Sequence, residues 1–332
     1  MSTCTVAIDA MGGDRAPVEI VAGALQAVDE VGVDVLLVGR EEEVTPLLPT
    51  PLPSAVELMD ARDVIAMDDE PASAVRKKKE SSLVQCAQAV RDGKADAMVS
   101  AGNTGAAMAA ALLRMGRVKG VARPGIAVTI PVPGHAPQLL VDAGATVDAA
   151  PEWLVQFALM GREYAHVRLG IDSPKVGLLS NGEEASKGDD LRKQTHGLLA
   201  DIPGFVGNVE GRDFMHPGVV DVVVTDGFTG NVALKSLEGA LRSLAGLVFQ
   251  VLESTPEAKA ASEVVLPMLL EAAEVYDPEL TGGAVLLGVK GVCVISHGSS
   301  SAKAIVSAVE VAASCVEHDV PARMRAVVEH AG

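Results

Sequence analysis

Residues Val223-Val-Thr-Asp-Gly-Phe-Thr-Gly-Asn-Val-Ala-Leu-Lys235 change character within a few positions. An apolar run that begins at Val222 stops at Thr225-Asp226-Gly227. Small polar residues continue through Thr229-Gly230-Asn231, and apolar residues then return at a wider spacing. A short apolar run reads as a buried strand, and the wider spacing reads as a helix. The stretch is therefore a strand, a polar turn and a helix in 13 residues.

The same unit recurs along the chain. Thr5–Ile8, Val35–Val38, Ala95–Val99, Val176–Leu179 and Val292–Ile295 read as strands. Glu41–Leu48, Gly105–Met115 and Asp148–Arg168 read as helices, and Pro17 stands where a first helix starts. Ile126–Ile130 and Gln138–Val141 have no helical pattern between them and predict a hairpin. Strands alternating with helices predict an α/β fold, a mainly parallel sheet flanked by helices. At roughly 150 residues per domain, 332 residues make one large unit (1–332) or two subdomains, with the boundary near 131–137. Leu237, Leu241, Leu244, Val248 and Val251 recur at helical spacing, and Val264-Val-Leu-Pro-Met-Leu-Leu270 is strongly apolar. Residues 235–272 therefore read as a helical hairpin, packed in a core or dimer or lying on a bilayer surface.

Composition removes several classes of function. The net charge of −17 argues against a nucleic-acid partner, which needs a basic face. Aromatic residues make up 2%, so stacking on bases or sugars is not the expected mode of binding. The four cysteines, Cys4, Cys86, Cys293 and Cys315, show neither CxxC nor metal-ligand spacing, which fits reduced thiols and a cytoplasmic protein without a metal. No apolar segment approaches the ~20 residues of a membrane span, and no secretory signal is visible. The P-loop, GxGxxG, HExxH, EF-hand and GxSxG patterns are absent.

The polar turns are the positive signal. A Gly-rich turn opening a helix offers backbone N–H groups and the positive end of the helix dipole, which together make an anion site. Thr104, Thr229, Ser299 and Ser300 add hydroxyls, Lys303 follows one turn into a helix, and Ser180-Asn-Gly-Glu-Glu184 with Lys187 makes a fourth loop. Ser100-Ala-Gly-Asn-Thr-Gly-Ala106 echoes Thr225–Asn231 through a shared Gly-x-Thr-Gly. Either the two loops face one ligand, or both are a common way to turn a strand into a helix. Arg76-Lys77-Lys78-Lys79 is a local basic run in an acidic chain, which by itself reads as a solvated helix face.

Taken together, several of these blocks resemble the bacterial phosphate acyltransferase family. They are Ala7-Ile-Asp-Ala-Met-Gly-Gly-Asp14 with Ala16-Pro17, Arg76–Lys79 before Ser81-Ser82, and Ser100–Gly105. Leu179–Glu184 with Lys187-Gly188, Thr225–Asn231, Gly288–Gly291 and His297–Ser300 with Ala302–Ala304 follow in order. Ala143 before Gly144 departs from the larger residue often found in the family.

The resemblance implies a fold similar to phosphotransacetylases and to isocitrate and isopropylmalate dehydrogenases, in a homodimer without a cofactor. It implies transfer of a fatty acyl group from acyl carrier protein to inorganic phosphate. The acyl phosphate would pass to a membrane glycerol-3-phosphate acyltransferase, consistent with peripheral membrane contact. On that reading phosphate attacks the thioester directly. Asn103, Thr104, Gly230 and Asn231 are candidates to stabilise the oxyanion, and Lys187, Lys303 and Arg123 to hold phosphate. His297 would protonate the leaving thiolate, and Asp226 would orient a lysine. Arg76, Lys77, Lys78 and Lys79 would dock the acidic carrier. A phosphotransacetylase-like enzyme on short acyl coenzyme A, and a non-catalytic acyl-binding regulator, are the competing expectations.

Overall fold

The computed structural model describes residues 4–277 and 279–331. Its strands are β1 (Thr5–Asp9), β2 (Asp34–Gly39), β3 (Val56–Asp60), β4 (Ala97–Ser100), β5 (Gly125–Ile130), β6 (Gln138–Val141), β7 (Val176–Leu179), β8 (Phe205–Val209), β9 (Val222–Val224), β10 (Ala284–Leu287) and β11 (Val292–Ile295). Its helices are α1 (Val18–Glu30), α2 (Glu41–Val44), α3 (Pro71–Lys77), α4 (Ser82–Arg91), α5 (Thr104–Arg114), α6 (Pro151–Leu169), α7 (Asp190–Leu199), α8 (Gly227–Leu252), α9 (Pro256–Ala273), α10 (Ala302–Glu317) and α11 (Val320–Ala331).

The strands form one 11-stranded sheet in the order β3-β2-β1-β4-β11-β10-β5-β6-β9-β7-β8. Successive side chains of a strand point to opposite faces, so one strand feeds two cores. Val222 and Val224 enter one core with α1, α6, α10 and α11, while Val223 enters the other with α3, α4 and α5. Both faces are covered, which is why the central strands are continuous apolar runs rather than alternating ones.

Two blocks of the sheet are parallel: β3-β2-β1-β4-β11 and β6-β9-β7-β8. Between them the pairs β11–β10, β10–β5 and β5–β6 are antiparallel. Three reversals make the two blocks run in opposite directions. Loops at the carboxyl ends of β1, β4 and β11 therefore open at one edge of the sheet, and those after β6, β7 and β9 at the other. Residues 131–137 connect β5 to β6 inside this single sheet.

The α8–α9 hairpin leaves this body. Within α8 only Gly227 and Gly230 are buried, and α9 has no buried residue. The first turns of α8 pack Ala233, Leu234 and Leu237 on the β1–β11 sheet, and the rest stands clear with Val264 71% and Met268 66% exposed.

Candidate active site

At the first edge, Asp9 ends β1 and is 2% exposed. The Ser100 hydroxyl donates to its Oδ2 at 2.7 Å, and the Met11 N–H donates to its Oδ1 at 3.3 Å. Burial pushes the Asp9 carboxyl up from its ordinary value, against the pull of the Ser82 and Ser100 hydroxyls. The three loops around it are tied by backbone bonds: Asp14 N–H to the Gly298 carbonyl at 2.7 Å, and Ser296 N–H to the Ser100 carbonyl at 2.9 Å. Thr104 and His297 are exposed on this edge. His297 Nδ1 accepts the Ser299 N–H at 3.2 Å and lies 2.8 Å from the Ser299 hydroxyl, which leaves the ring proton on Nε2. Ser300 is buried, its hydroxyl donating to the His297 carbonyl at 2.6 Å, so it holds the turn.

Helix starts expected as open anion sites are largely occupied by the chain's own side chains. Asn103 accepts the Ala106 N–H at 3.0 Å and gives its amide to the Met67 and Asp69 carbonyls at 2.9 and 3.2 Å. Its Oδ1 caps α5, and its Nδ2 hydrogens are already given to the Met67 and Asp69 carbonyls rather than to an oxyanion. Ala302 N–H at the start of α10 is taken by Glu19 at 2.8 Å. Lys303, expected to hold phosphate, is instead paired with Asp277 at 2.9 Å. Among the described residues, the Thr104 and Gly105 N–H groups stay free at the start of α5.

The second edge is closed by a different logic. Asp142 is fully buried and accepts four backbone N–H groups: Ile126 at 2.9 Å, Gly144 at 3.0 Å, Ala145 at 2.8 Å and Thr146 at 2.7 Å. Burial raises its pKa from the ordinary carboxylate value, and those donors pull it back. Gly230 is jammed against it, and a Cβ there would run into the Asp142 carbonyl. Asn231 donates to the Ala143 carbonyl at 3.2 Å. Arg123 stacks over Trp153 at 5.0 Å, and Lys187 is exposed, its backbone N–H donating to the Glu184 carbonyl at 2.9 Å and its ammonium in no ion pair among the described residues.

Asp226 was expected to orient a lysine. Its partner is Arg192, whose guanidinium bonds Asp226 directly, donates to Thr225 and Thr229 hydroxyls at 3.0 and 2.8 Å, and pairs with Asp189 at 3.0 Å. Burial raises the Asp226 pKa, but the Thr229 N–H and hydroxyl and the Arg192 charge together hold it below the ordinary carboxylate value. Arg192 and Asp142 escaped the sequence reading. Arg192 sits 34 residues from Asp226, and no local motif announces such a pair. Asp142 was visible only as Asp-Ala-Gly after a strand.

No hydrogen bond or ion pair among the described residues joins the two edges. The two Gly-x-Thr-Gly turns therefore do not share a ligand space within one chain through direct contact. Of the basic run, Arg76, Lys77 and Lys79 are exposed, while Lys78 is committed to Asp69 at 2.5 Å and the Val64 carbonyl at 3.0 Å. Arg76, Lys77 and Lys79 are therefore the cations of the run that stand without such a pairing among the described residues. Helix α3 ends in Arg76 and Lys77, and its first residue lies against α5: a Cβ on Gly105 would lie 2.7 Å from Pro71 Cγ. Cys293 is buried and its thiol is pushed up to about 12, so it is no nucleophile.

Residues 4–323 match the family model described as fatty acid synthesis protein. A protein of Desulfitobacterium hafniense (strain Y51) named phosphate acyltransferase is 48% identical over 94% of this chain and 93% of its own. One from Geobacillus sp. (strain WCH70) with the same name is 45% identical over 98% of both. Among solved structures, a phosphotransacetylase from Streptococcus pyogenes superposes with a TM-score of 0.62 at 16% identity, covering 95% of this chain and 94% of the other. A 4-hydroxythreonine-4-phosphate dehydrogenase from Klebsiella pneumoniae gives 0.53 at 12%, covering 95% and 98%. These structures establish a shared fold.

Proposed function

This chain belongs to the fatty acid synthesis protein family, and from that premise we infer that it is a phosphate acyltransferase acting on fatty acyl groups. The donor we propose is acyl-acyl carrier protein and the acceptor inorganic phosphate. The observation that carries this is identity of 45–48% across 94% or more of the chain to proteins named phosphate acyltransferase.

The reaction needs little covalent help from the protein. A phosphate oxygen attacks the thioester carbon, a C–O bond forms, the C–S bond breaks, and the carrier thiolate takes a proton. Phosphate is already partly a dianion near neutral pH, so no enzyme nucleophile or base is required. We place the chemistry at the first edge. There the free Thr104 and Gly105 N–H groups suit an oxyanion, each donor contributing on the order of 3 kcal/mol. His297, exposed beside this turn, supplies the proton as its imidazolium, taking a proton from solvent on Nδ1 in place of the Ser299 N–H contact. Arg76 and Lys77 lie in the last turn of the neighbouring helix and Lys79 in the turn that follows it, where an acidic carrier would dock. Lys187, Arg123 and Asn231 are exposed at the opposite edge, while Thr229 and Gly230 are committed to the locked turn there. They join this site only if a second copy of the chain presents them, which is how we read the homodimer.

Among the described residues no helix is long and apolar enough to cross a membrane. The exposed apolar residues of α8 and α9 favour dimer contact and peripheral membrane attachment at the cytoplasmic side, close to the membrane glycerol-3-phosphate acyltransferase that would consume the product. The test is direct. Palmitoyl-acyl carrier protein and phosphate are mixed with the protein and trapped with hydroxylamine. Phosphate-dependent hydroxamate is expected. Activity only with acetyl coenzyme A would move the substrate to short acyl groups, and no turnover with either would leave a binding protein.

A further inference from the structure

A cleft of about 600 Å³ opens at the root of the hairpin, between the β5–β6 turn, the end of α6, the end of α9 and α10. That is within the size range of small-molecule sites. Its wall is largely apolar, with Val132, Leu169, Val275, Leu280 and Val311. One cation stands in that wall, Arg168 in the last turn of α6. The Arg168 Nε is buried without an acceptor, the Arg168 charge acts on Tyr164 and Cys315, and no ion pair of Arg168 is found among the described residues. The helix terminus explains why a cation is favoured there, but it gives Nε no partner. Glu271 and Glu274 line the opposite, exposed side without reaching Arg168, and His135 completes the polar rim.

A guanidinium on an apolar wall attracts an anion, because its charge is screened less there than in open water. Its fork fits phosphate oxygens two at a time. The cleft also adjoins the proposed reaction edge. Gly283 lines it at φ +78°, and a Cβ there would lie 3.2 Å from Ser296 Cα, next to His297. We propose that this cleft holds the fatty acyl phosphate, its chain along the apolar wall and its phosphate on Arg168. The identity of the head group rests on the functional reading above; the preference for an anionic single-chain amphiphile rests on the cleft alone. Burial there would shield the anhydride from water, and the cleft's place at the base of the exposed hairpin would carry the product toward a bilayer.

Dodecyl phosphate, which cannot hydrolyse as an acyl phosphate does, is titrated into the full-length protein by calorimetry. Saturable binding is expected, and Arg168→Gln should weaken it roughly tenfold, the loss of about one charge-assisted contact. Leu280→Asp, at an exposed loop position where folding is not at stake, should weaken it as well, with unchanged thermal melts. Dodecanol or dodecanoate binding as tightly as dodecyl phosphate, or Arg168→Gln binding as tightly as the parent, overturns the proposal. Failure of the functional reading looks different: the cleft binds dodecyl phosphate, but no hydroxamate forms. Hydroxamate with no saturable binding sinks the cleft assignment alone.

Discussion

Gly102-Asn-Thr-Gly105 and Gly227-Phe-Thr-Gly230 are nearly the same turn in sequence and do different work. Both follow a strand and open a helix. In the first, the cap is a neutral amide, Thr104 is exposed, and two N–H groups remain free. In the second, the cap is the Asp226 carboxylate, its charge is met by buried Arg192, and the Thr229 hydroxyl lies between them, donating to Asp226 at 2.8 Å. The first turn is left available to a ligand, while the second is locked and anchors the base of α8. A turn motif thus specifies backbone shape, and the charge of its cap and what faces it specify its role.

The largest expected effect is on the locked turn. Arg192→Met leaves Asp226 buried without its cation and should cost about 3–5 kcal/mol in urea unfolding. No corresponding substitution exists at the first turn, so a loss below about 1 kcal/mol would erase the contrast. A smaller effect separates the two glycines. Gly230→Ala drives a methyl into the Asp142 carbonyl, which is backbone and cannot yield, and should cost about 3 kcal/mol. Gly105→Ala puts a methyl 2.7 Å from Pro71 Cγ, a side-chain rather than a backbone clash, and gains helix propensity, so its net cost should be smaller, about 1–2 kcal/mol. Equal costs would show that the turns are equally tight.

Two of the buried aspartates, Asp226 and Asp9, sharpen the comparison through pH. Asp226 is held below its ordinary pKa when folded. Its contribution to stability is therefore complete above the unfolded carboxylate value of about 4, and is lost as pH falls through the folded one. Asp9 is raised, so its contribution is present below that unfolded value and is lost as pH rises through the folded one. Urea unfolding at stepped pH should show Asp226→Asn removing part of the acid loss, and Asp9→Asn removing part of the loss on the neutral side. The same sign for both would contradict the assigned environments. The smallest change is expected at the exposed basic run. Lys77→Glu with Lys79→Glu should raise KM for the acyl carrier substrate roughly tenfold at low salt with little change in kcat, and the difference should shrink as salt rises. Salt-independent kinetics would place docking elsewhere.

Much of the fold was legible because its signals lie between near neighbours in the chain. Continuous apolar runs such as Val222–Val224 mark strands buried on both faces, and β6, β7 and β11 fall where the sequence put them. Gln138–Val141 does pair with Gly125–Ile130 as a hairpin. The strands that escaped include β3 and β8 at the two ends of the sheet, where partial exposure breaks up the apolar pattern. The family blocks were legible too, because each is a short run of residues read in order.

The sequence by itself determined the alternation of strands and helices, the positions of the polar turns, the apolar hairpin and the family. Tertiary structure alone decided which way each strand block runs and which charge meets which. Three antiparallel pairings in the middle of the sheet send the two sets of loops to opposite edges. Asp226 finds Arg192 rather than a lysine, Lys303 finds Asp277, and Lys78 finds Asp69. Periodicity and capping are fixed by residues a few positions apart, whereas strand direction and ion pairing are settled by packing between segments far apart in the chain.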